Sequence, residues 1–270
     1  MSYLEFCYTE ISQYKVTIVL PIGYTKTKRY PTVYMHDGGN GAKQALNYLE
    51  HLIVSKQINP FILIGVEPIN RNDDYTPWPA DSLLPDTPRL GGHAKAYLTT
   101  LATEIKPYID THYATKPQAA DTTIGGCSYG GLVTLFASYY FPDIFGNYIL
   151  LSASFWFEDL IPFLSGEKLV KEQTVYQKPH IDRTNHKLYG YVGELEGIYR
   201  QGPQQSMVEQ SKKAFAILRE EGFTTETARF DTCAEGTHDV FFFTKHFLLA
   251  IRWLLGTTKG EINEHLLDNR

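Results

Sequence analysis

The chain has 270 residues, 43% hydrophobic and 20% charged, and a formal net charge of −5. This length suits one large domain, and an acidic balance without any run of Lys and Arg argues against nucleic acid as a partner. No apolar stretch reaches the roughly 18 residues that would predict a membrane span, and the three cysteines, Cys7, Cys127 and Cys233, form neither a metal-ligand nor a disulfide pattern.

Short apolar runs alternate with helical patterns along the chain. Strands are predicted at 14–21, 30–36, 61–66, 120–127, 147–154, 187–192 and 225–232. Helices are predicted at 42–54, 93–112, 129–140, 203–221 and 239–255. The continuous apolarity of 61–66 is typical of a strand buried on both faces. Residues 67–92 are rich in Pro, Asp, Asn and Gly, which predicts a long functional loop.

This alternation predicts an α/β fold with a mostly parallel central sheet and helices on both faces. The first strands have hairpin-like connections, so we expect them to be antiparallel. No linker divides the chain, which predicts a single domain over residues 1–270. The irregular segment around 155–186 is a candidate for a small lid or insertion.

One short motif carries the strongest chemical signal. Residues 126–130 read Gly-Cys-Ser-Tyr-Gly, a G-x-S-x-G pattern between a predicted strand and a predicted helix. Glycines leave room at such a sharp turn, and the helix N-terminus favours negative charge that develops beside the serine. Ser128 is therefore a candidate nucleophile. The alternative is a glycine-rich turn without chemistry; a phosphate-binding loop is disfavoured because no lysine follows.

A nucleophilic serine needs a base, and His238 has the expected position. It follows the strand predicted at 225–232 and precedes the last helix, which is where this chain order places the histidine. The other eight histidines fit that position less well. Cys127, beside the serine, is expected only to pack.

The group that orients the histidine should follow the strand before. The sequence there is Gly193-Glu194-Leu195-Glu196-Gly197. Glu196 is favoured because in this fold the acid commonly lies about three residues past such a glycine. Glu194, or a Ser-His dyad with no acid, remains open.

Two backbone N–H groups should bind the oxyanion. One is expected from Tyr129, the residue after the nucleophile, and the other from the loop at residues 36–41. Glycines in that loop let backbone approach a substrate oxygen closely. The same loop can also be read as a turn and helix cap, with Asp37 or Asn40 as the capping residue.

Together these segments resemble the putative-esterase family of α/β-hydrolases, which includes esterase D-type enzymes, siderophore esterases and mycolyltransferase antigens. The matching segments run through about 14–255 and include 34–39, 71–78, 104–110, 126–131, 141–145, 193–196 and 236–238. The resemblance implies an α/β-hydrolase fold with Ser128 as nucleophile, His238 as base and a glutamate after Gly193. It also implies Gly39 as the second oxyanion donor.

Four residues are candidates for a substrate pocket. They are Asn40, Arg71, Trp78 and Trp156. Trp78 lies in the long loop, where it could equally well pin that loop to the core. Trp156 follows a predicted strand whose C-terminal end should face the site. Arg71, together with Arg89 and Arg200, could bind an anionic, catecholate substrate.

The sequence thus predicts a serine carboxylesterase that hydrolyses a small-molecule ester through a Ser-His-Glu triad, without metal or organic cofactor. The alternatives are a siderophore trilactone esterase, an acyltransferase on the same fold and a non-catalytic ligand-binding protein. No membrane partner is expected, and a homo-oligomer remains open. The N-terminus has neither the basic region nor the apolar core of a signal peptide, so we expect a cytoplasmic location.

Overall fold

The computed structural model describes residues 4–83 and 87–257. Strands in these residues are β1 (Glu5–Ile11), β2 (Tyr14–Leu20), β3 (Thr32–Met35), β4 (Ile62–Val66), β5 (Thr122–Cys127), β6 (Asn147–Leu151), β7 (Leu169–Lys171), β8 (Thr174–Tyr176), β9 (Lys187–Gly193) and β10 (Ala228–Cys233). The helices are α1 (Asn40–Lys43), α2 (Leu46–Val54), α3 (Arg71–Asp74), α4 (Ala94–Thr100), α5 (Lys106–His112), α6 (Tyr129–Tyr140), α7 (Leu160–Leu164), α8 (Met207–Glu220) and α9 (Val240–Leu255).

Eight strands form one sheet in the order β1-β2-β4-β3-β5-β6-β9-β10. The β1–β2 and β2–β4 pairs are antiparallel, and every later pair of this sheet is parallel. The predicted α/β class, with a mostly parallel sheet and antiparallel N-terminal strands, is confirmed. Because parallel strands end at the same edge, loops after β3, β5, β9 and β10 meet there.

The sheet is covered by two apolar layers. One contains Tyr97 of α4 and Leu101, which directly follows α4, together with Leu132 and Phe136 of α6. The other packs Leu49 and Leu52 of α2 beside Phe247 and Ile251 of α9. Strands β4 and β6 are buried along their whole length, which explains their continuous apolar sequences.

Several elements differ from the sequence predictions. The helix predicted at 42–54 is two helices, α1 and α2, because the chain leaves helical geometry at Ala45. The helix predicted at 93–112 forms as α4 and α5, joined by a π-helical turn at Leu101–Ile105. Strand β1 and the β7–β8 hairpin were not predicted. That hairpin and α7 lie in the segment around 155–186, whose role as a lid stays a prediction, as does the single domain.

None of the helices in the described ranges is long and apolar enough to span a membrane.

Candidate active site

The sequence-predicted catalytic residues gather at the carboxyl edge of the parallel strands. Ser128 directly follows β5, Glu196 lies in the loop after β9, and His238 lies between β10 and α9. The loop of Asp37–Gly39 follows β3, the neighbour of β5 in the sheet. Four separate loops therefore deliver these groups to one edge, as ligand sites in open α/β sheets require.

Ser128 occupies a strained turn between β5 and α6. Its φ is 57° and its ψ is −120°, a backbone conformation that residues other than glycine rarely adopt. The turn is held by the Ser128 N–H, which donates to the Leu151 carbonyl at 3.0 Å. A Cβ at Gly126 would lie 2.7 Å from the Gly130 carbonyl carbon, so the tightness of this turn requires glycine. The Ser128 hydroxyl lies 3.3 Å from Ser154 Oγ.

The histidine and the glutamate are joined by a hydrogen bond. His238 Nδ1 lies 2.9 Å from Glu196 Oε2. The other oxygen, Glu196 Oε1, accepts from the Ser152 hydroxyl and from the Gly193 N–H at 2.9 Å. The Glu196 side chain is completely buried, whereas His238 keeps 21% of its side chain exposed. A buried carboxylate that accepts three hydrogen bonds can hold one imidazole tautomer, with the proton on Nδ1.

The two glutamates of the Gly193–Gly197 loop have different surroundings. Glu194 is exposed, and its N–H donates to the Cys233 carbonyl at 2.9 Å. Glu196 turns inward toward His238. The imidazole of His238 also packs edge-on against Phe243, with ring centroids 5.0 Å apart. This geometry favours Glu196 over Glu194 as the partner of His238.

The glycine loop after β3 packs closely on β4. Gly39 has a φ of 79°, and a Cβ there would lie 3.3 Å from the Gly65 Cα. The Gly39 N–H donates to the His36 carbonyl at 3.0 Å. A substrate oxygen would therefore have to share or replace that hydrogen bond. The N–H of Tyr129 belongs to the first turn of α6, where N–H groups have no acceptor within the helix.

Arg71 connects the glycine loop to the turn that carries the serine. Its Nε and Nη2 donate to the two Asp37 carboxylate oxygens at 2.7 and 3.1 Å, and Nη2 also lies 3.3 Å from the Cys127 carbonyl. The guanidinium stacks near the rings of Tyr75 and Tyr129. Burial lowers the pKa of Arg71, but the hydrogen bond and charge of Asp37 outweigh burial and leave it raised. Arg71 thus stays cationic.

Buried hydrogen bonds to two tyrosines hold the glycine loop after β3 in place. His36 Nδ1 lies 2.7 Å from the Tyr97 hydroxyl, and the Asp37 N–H donates to the Tyr75 hydroxyl at 2.9 Å. Burial, with a smaller effect from the charge of Arg71, lowers the pKa of His36 to about 3. His36 is therefore neutral at physiological pH, which suits a structural residue better than a proton-transfer residue.

The other three candidate pocket residues differ in exposure. Trp156 lines a cleft of about 300 Å³ beside Tyr129, and Asn40 is exposed at the start of α1. Trp78 lies in the core, with no exposed surface, and its Nε1 donates to the Glu158 carbonyl at 3.0 Å. It packs against Phe136, Phe157, Phe163 and Tyr176. Of the two roles predicted for Trp78, its complete burial supports an anchor for the long loop and not contact with substrate.

Two serines of the site were not found from the sequence. Ser152 and Ser154 follow β6, the strand beside β5, and contact Glu196 and Ser128 respectively. Their position after a strand that ends at the same edge was the available signal. Within residues 4–83 and 87–257, no group of three or more His, Cys, Asp or Glu side chains could hold a metal ion.

Comparisons with known proteins point in one direction. The family described as "Putative esterase" matches residues 11–254. A Bacillus subtilis (strain 168) protein described as "Uncharacterized protein YbbA" is 29% identical to this chain. The match covers 92% of this chain and 95% of that protein.

Solved structures agree on the fold. An IroE-like serine hydrolase from Shewanella oneidensis covers 92% of this chain and 79% of its own, with a TM-score of 0.73 and 21% identity. The siderophore hydrolase EstA from Aspergillus nidulans covers 93% and 95%, with a TM-score of 0.65 and 19% identity. The likeness confirms that the sheet has the esterase-type α/β-hydrolase fold.

Proposed function

This chain belongs to the Putative esterase family and is an ester hydrolase, and from that premise we propose that it is a serine carboxylesterase using Ser128, His238 and Glu196. One observation carries the proposal. The buried Glu196 carboxylate lies 2.9 Å from His238 Nδ1, at the sheet edge where the strained turn presents Ser128. A hydroxyl, a carboxylate and an imidazole, in this chain order, are the parts of acyl-transfer catalysis on this fold.

In the first half of the reaction, Ser128 Oγ attacks the carbonyl carbon of the ester. The Ser128 proton passes to His238 Nε2, because the Glu196 hydrogen bond keeps the other nitrogen protonated. The tetrahedral intermediate collapses when the C–O bond to the alcohol breaks. The alcohol leaves with the proton from His238, and the acyl group stays on Ser128.

The developing oxyanion needs donors that are already in place. The Tyr129 N–H at the start of α6 and the Gly39 N–H of the glycine loop are the proposed pair. Gly39 would exchange its His36 carbonyl for the substrate oxygen as negative charge builds. An oxyanion is the stronger acceptor, so this exchange is favourable in the transition state and stabilises it selectively.

In the second half, water replaces the alcohol. His238 Nε2 takes a proton from water, whose oxygen attacks the acyl carbon, and the bond to Ser128 Oγ breaks. Ser128 recovers its proton from His238, and the acid leaves. Each step needs only the side chains and backbone groups of this chain, the small-molecule ester and one water molecule.

A second candidate is a siderophore esterase. One structural relative is described as a siderophore hydrolase, and the cationic Arg71 near the site could attract an anionic ligand. Against this, Arg89 is engaged by Asp81 and Glu172. Asp81 and Glu158 line the cleft beside Trp156, and their carboxylates pair with Arg89 and Lys171 respectively. Among the described residues no Lys or Arg lines this cleft, which favours a neutral ester over a catecholate anion.

The test is a substrate panel. Wild type and Ser128→Ala are assayed with p-nitrophenyl esters of rising acyl length and with a catecholate trilactone siderophore. We expect turnover of short acyl esters that depends on Ser128. Activity on the siderophore alone would instead support the second candidate. Product analysis with added alcohols separates hydrolysis from acyl transfer, since a transferase would form new esters in preference to the free acid.

A further inference from the structure

A second cleft lies at the opposite edge of the sheet, among the amino ends of the parallel strands. It measures about 510 Å³, compared with about 300 Å³ for the cleft beside Trp156. Its walls are the residues at or just before the starts of β3, β4, β5, β6 and β9, together with the end of α9. Strand β5 has six residues, so about 20 Å separates this edge from Ser128.

The charge of this cleft contrasts with that of the whole chain. Four cationic side chains line it, from Lys28, Arg29, Lys116 and Lys187, with the single carboxylate of Asp121. The chain as a whole carries a net charge of −5. This cleft therefore carries a local excess of positive charge on an acidic protein, and its limited size indicates a small anion and not a polymer that would need a long basic stripe.

Most of these cations are not neutralised by the protein. Lys116 pairs with Asp121 at 3.2 Å. Among residues 4–83 and 87–257, no carboxylate lies within ion-pair distance of Lys28, Arg29 or Lys187; the Lys187 ammonium lies over the Trp253 ring at 5.9 Å. All three are exposed. Like charges that share one concave surface repel one another until an anion joins them.

Neutral donors and an adjoining cleft extend the site. Asn59 and Asn185 bring exposed amide groups to the same walls, and amide N–H groups donate readily to oxyanions. A neighbouring cleft of about 340 Å³ shares Arg29 and Lys116. Its carboxylate, Asp110, is already engaged by Lys106 at 2.6 Å. The volume of the main cleft, about 510 Å³, exceeds that needed for one inorganic phosphate and suits a small ligand with several charged groups.

We propose that this cleft binds a small, multiply charged oxyanion through Lys28, Arg29 and Lys187, at a site separate from the catalytic edge. Phosphate and carboxylate groups share the required chemistry, because both are compact oxygen acceptors for ammonium and guanidinium groups. The position of the site predicts that its ligand does not compete with an ester substrate.

The test is titration calorimetry of the full chain with inorganic pyrophosphate, and separately with citrate, at an ionic strength of about 0.01 M, where charges act over about 30 Å. Binding of both anions supports a general oxyanion site, and binding of pyrophosphate alone supports one selective for phosphates. Absence of binding by either anion overturns the proposal.

Paired variants locate the site. Lys28→Gln with Lys187→Gln should weaken binding by at least about tenfold. The control, Lys168→Gln with Lys212→Gln, removes the same charge from exposed positions elsewhere and should change affinity by less than about twofold. Equal weakening in both pairs would contradict the proposal, as would competitive inhibition of ester hydrolysis by pyrophosphate. If the first pair lowers the melting temperature, Arg29→Gln alone gives the same comparison.

Discussion

At the scale of single residues, Glu196 has the most specific environment of the site. Both of its oxygens are used, one by His238 and the other by Ser152 and the Gly193 N–H. The exposed Glu194, two residues earlier, has the same chemistry but different surroundings. The difference between these two carboxylates therefore lies in burial and in hydrogen-bond partners, and both can be tested by substitution.

Glu196→Gln should lower kcat for a p-nitrophenyl ester by about 10²- to 10⁴-fold. The amide keeps the shape of the side chain but removes the charge that stabilises the imidazolium and can favour the wrong tautomer. Glu194→Gln is the matched control and should keep near-normal turnover. Steady-state kinetics of both variants decide the point. Loss of activity in Glu194→Gln, with Glu196→Gln unaffected, would reverse the assignment.

Arg71 is expected to act through position. It ties Asp37 of the glycine loop to the Cys127 carbonyl beside the nucleophile. Arg71→Met should lower kcat for a neutral ester by about 10- to 100-fold with little change in KM, because the oxyanion donors shift relative to Ser128. Arg219→Met, on the exposed face of α8, is the control. A rise in KM with unchanged kcat would mean that Arg71 binds substrate instead.

At the scale of elements, the β5–α6 turn is held by close packing of backbone. Gly126→Ala would force a Cβ to within 2.7 Å of the Gly130 carbonyl carbon. We expect it to reduce the free energy of unfolding by about 1–3 kcal/mol and to abolish most ester hydrolysis, because the turn must open. Gly23→Ala is the control, because its added Cβ would have no atom within 4 Å. It should lower stability only through the strain of a non-glycine residue at a φ of 72°. Urea unfolding and turnover, measured together, test both; a fully active Gly126→Ala variant would contradict this explanation.

Local patterns predicted much of this fold. The helix at Tyr129–Tyr140 has the bounds expected from the sequence, since strong periodicity and a preceding glycine turn agree. The break at Ala45 was missed because the apolar pattern continues through it. The burial of Trp78 was equally out of reach, because it depends on contacts with Phe136 and Phe163, which are distant in the chain. The sequence favoured Glu196 over Glu194 by its spacing after Gly193, and the burial that supports this choice depends on long-range contacts.

At the scale of the whole molecule, the two edges of the sheet have different chemistry. The carboxyl edge holds the nucleophile turn, the His238–Glu196 pair and a neutral buried His36. The amino edge holds the basic cleft. The parallel strands separate these two regions by about 20 Å, the length of the six residues of β5.

His36 links stability to pH. Its pKa falls from 6.5 to about 3 on folding, so the unfolded chain binds a proton that the folded chain excludes. The folding stability that requires a neutral His36 is therefore fully present above about pH 6.5. It is lost as the pH falls from there toward the folded-state pKa of about 3. Relative to His36→Asn, the wild type should lose about 2 kcal/mol of unfolding free energy between pH 7.5 and 5. Urea titrations at both pH values measure this, and a constant difference between the two proteins would refute it.

The central claim, that Ser128 is the nucleophile, is tested most directly by mapping a covalent adduct. The protein is treated with a fluorophosphonate, and the modified residue is identified by peptide mass spectrometry in wild type and in Ser128→Ala. We predict one adduct on Ser128 in the wild type and none in the variant. Equal labelling of both proteins, labelling of neither, or an adduct on another residue would contradict the claim.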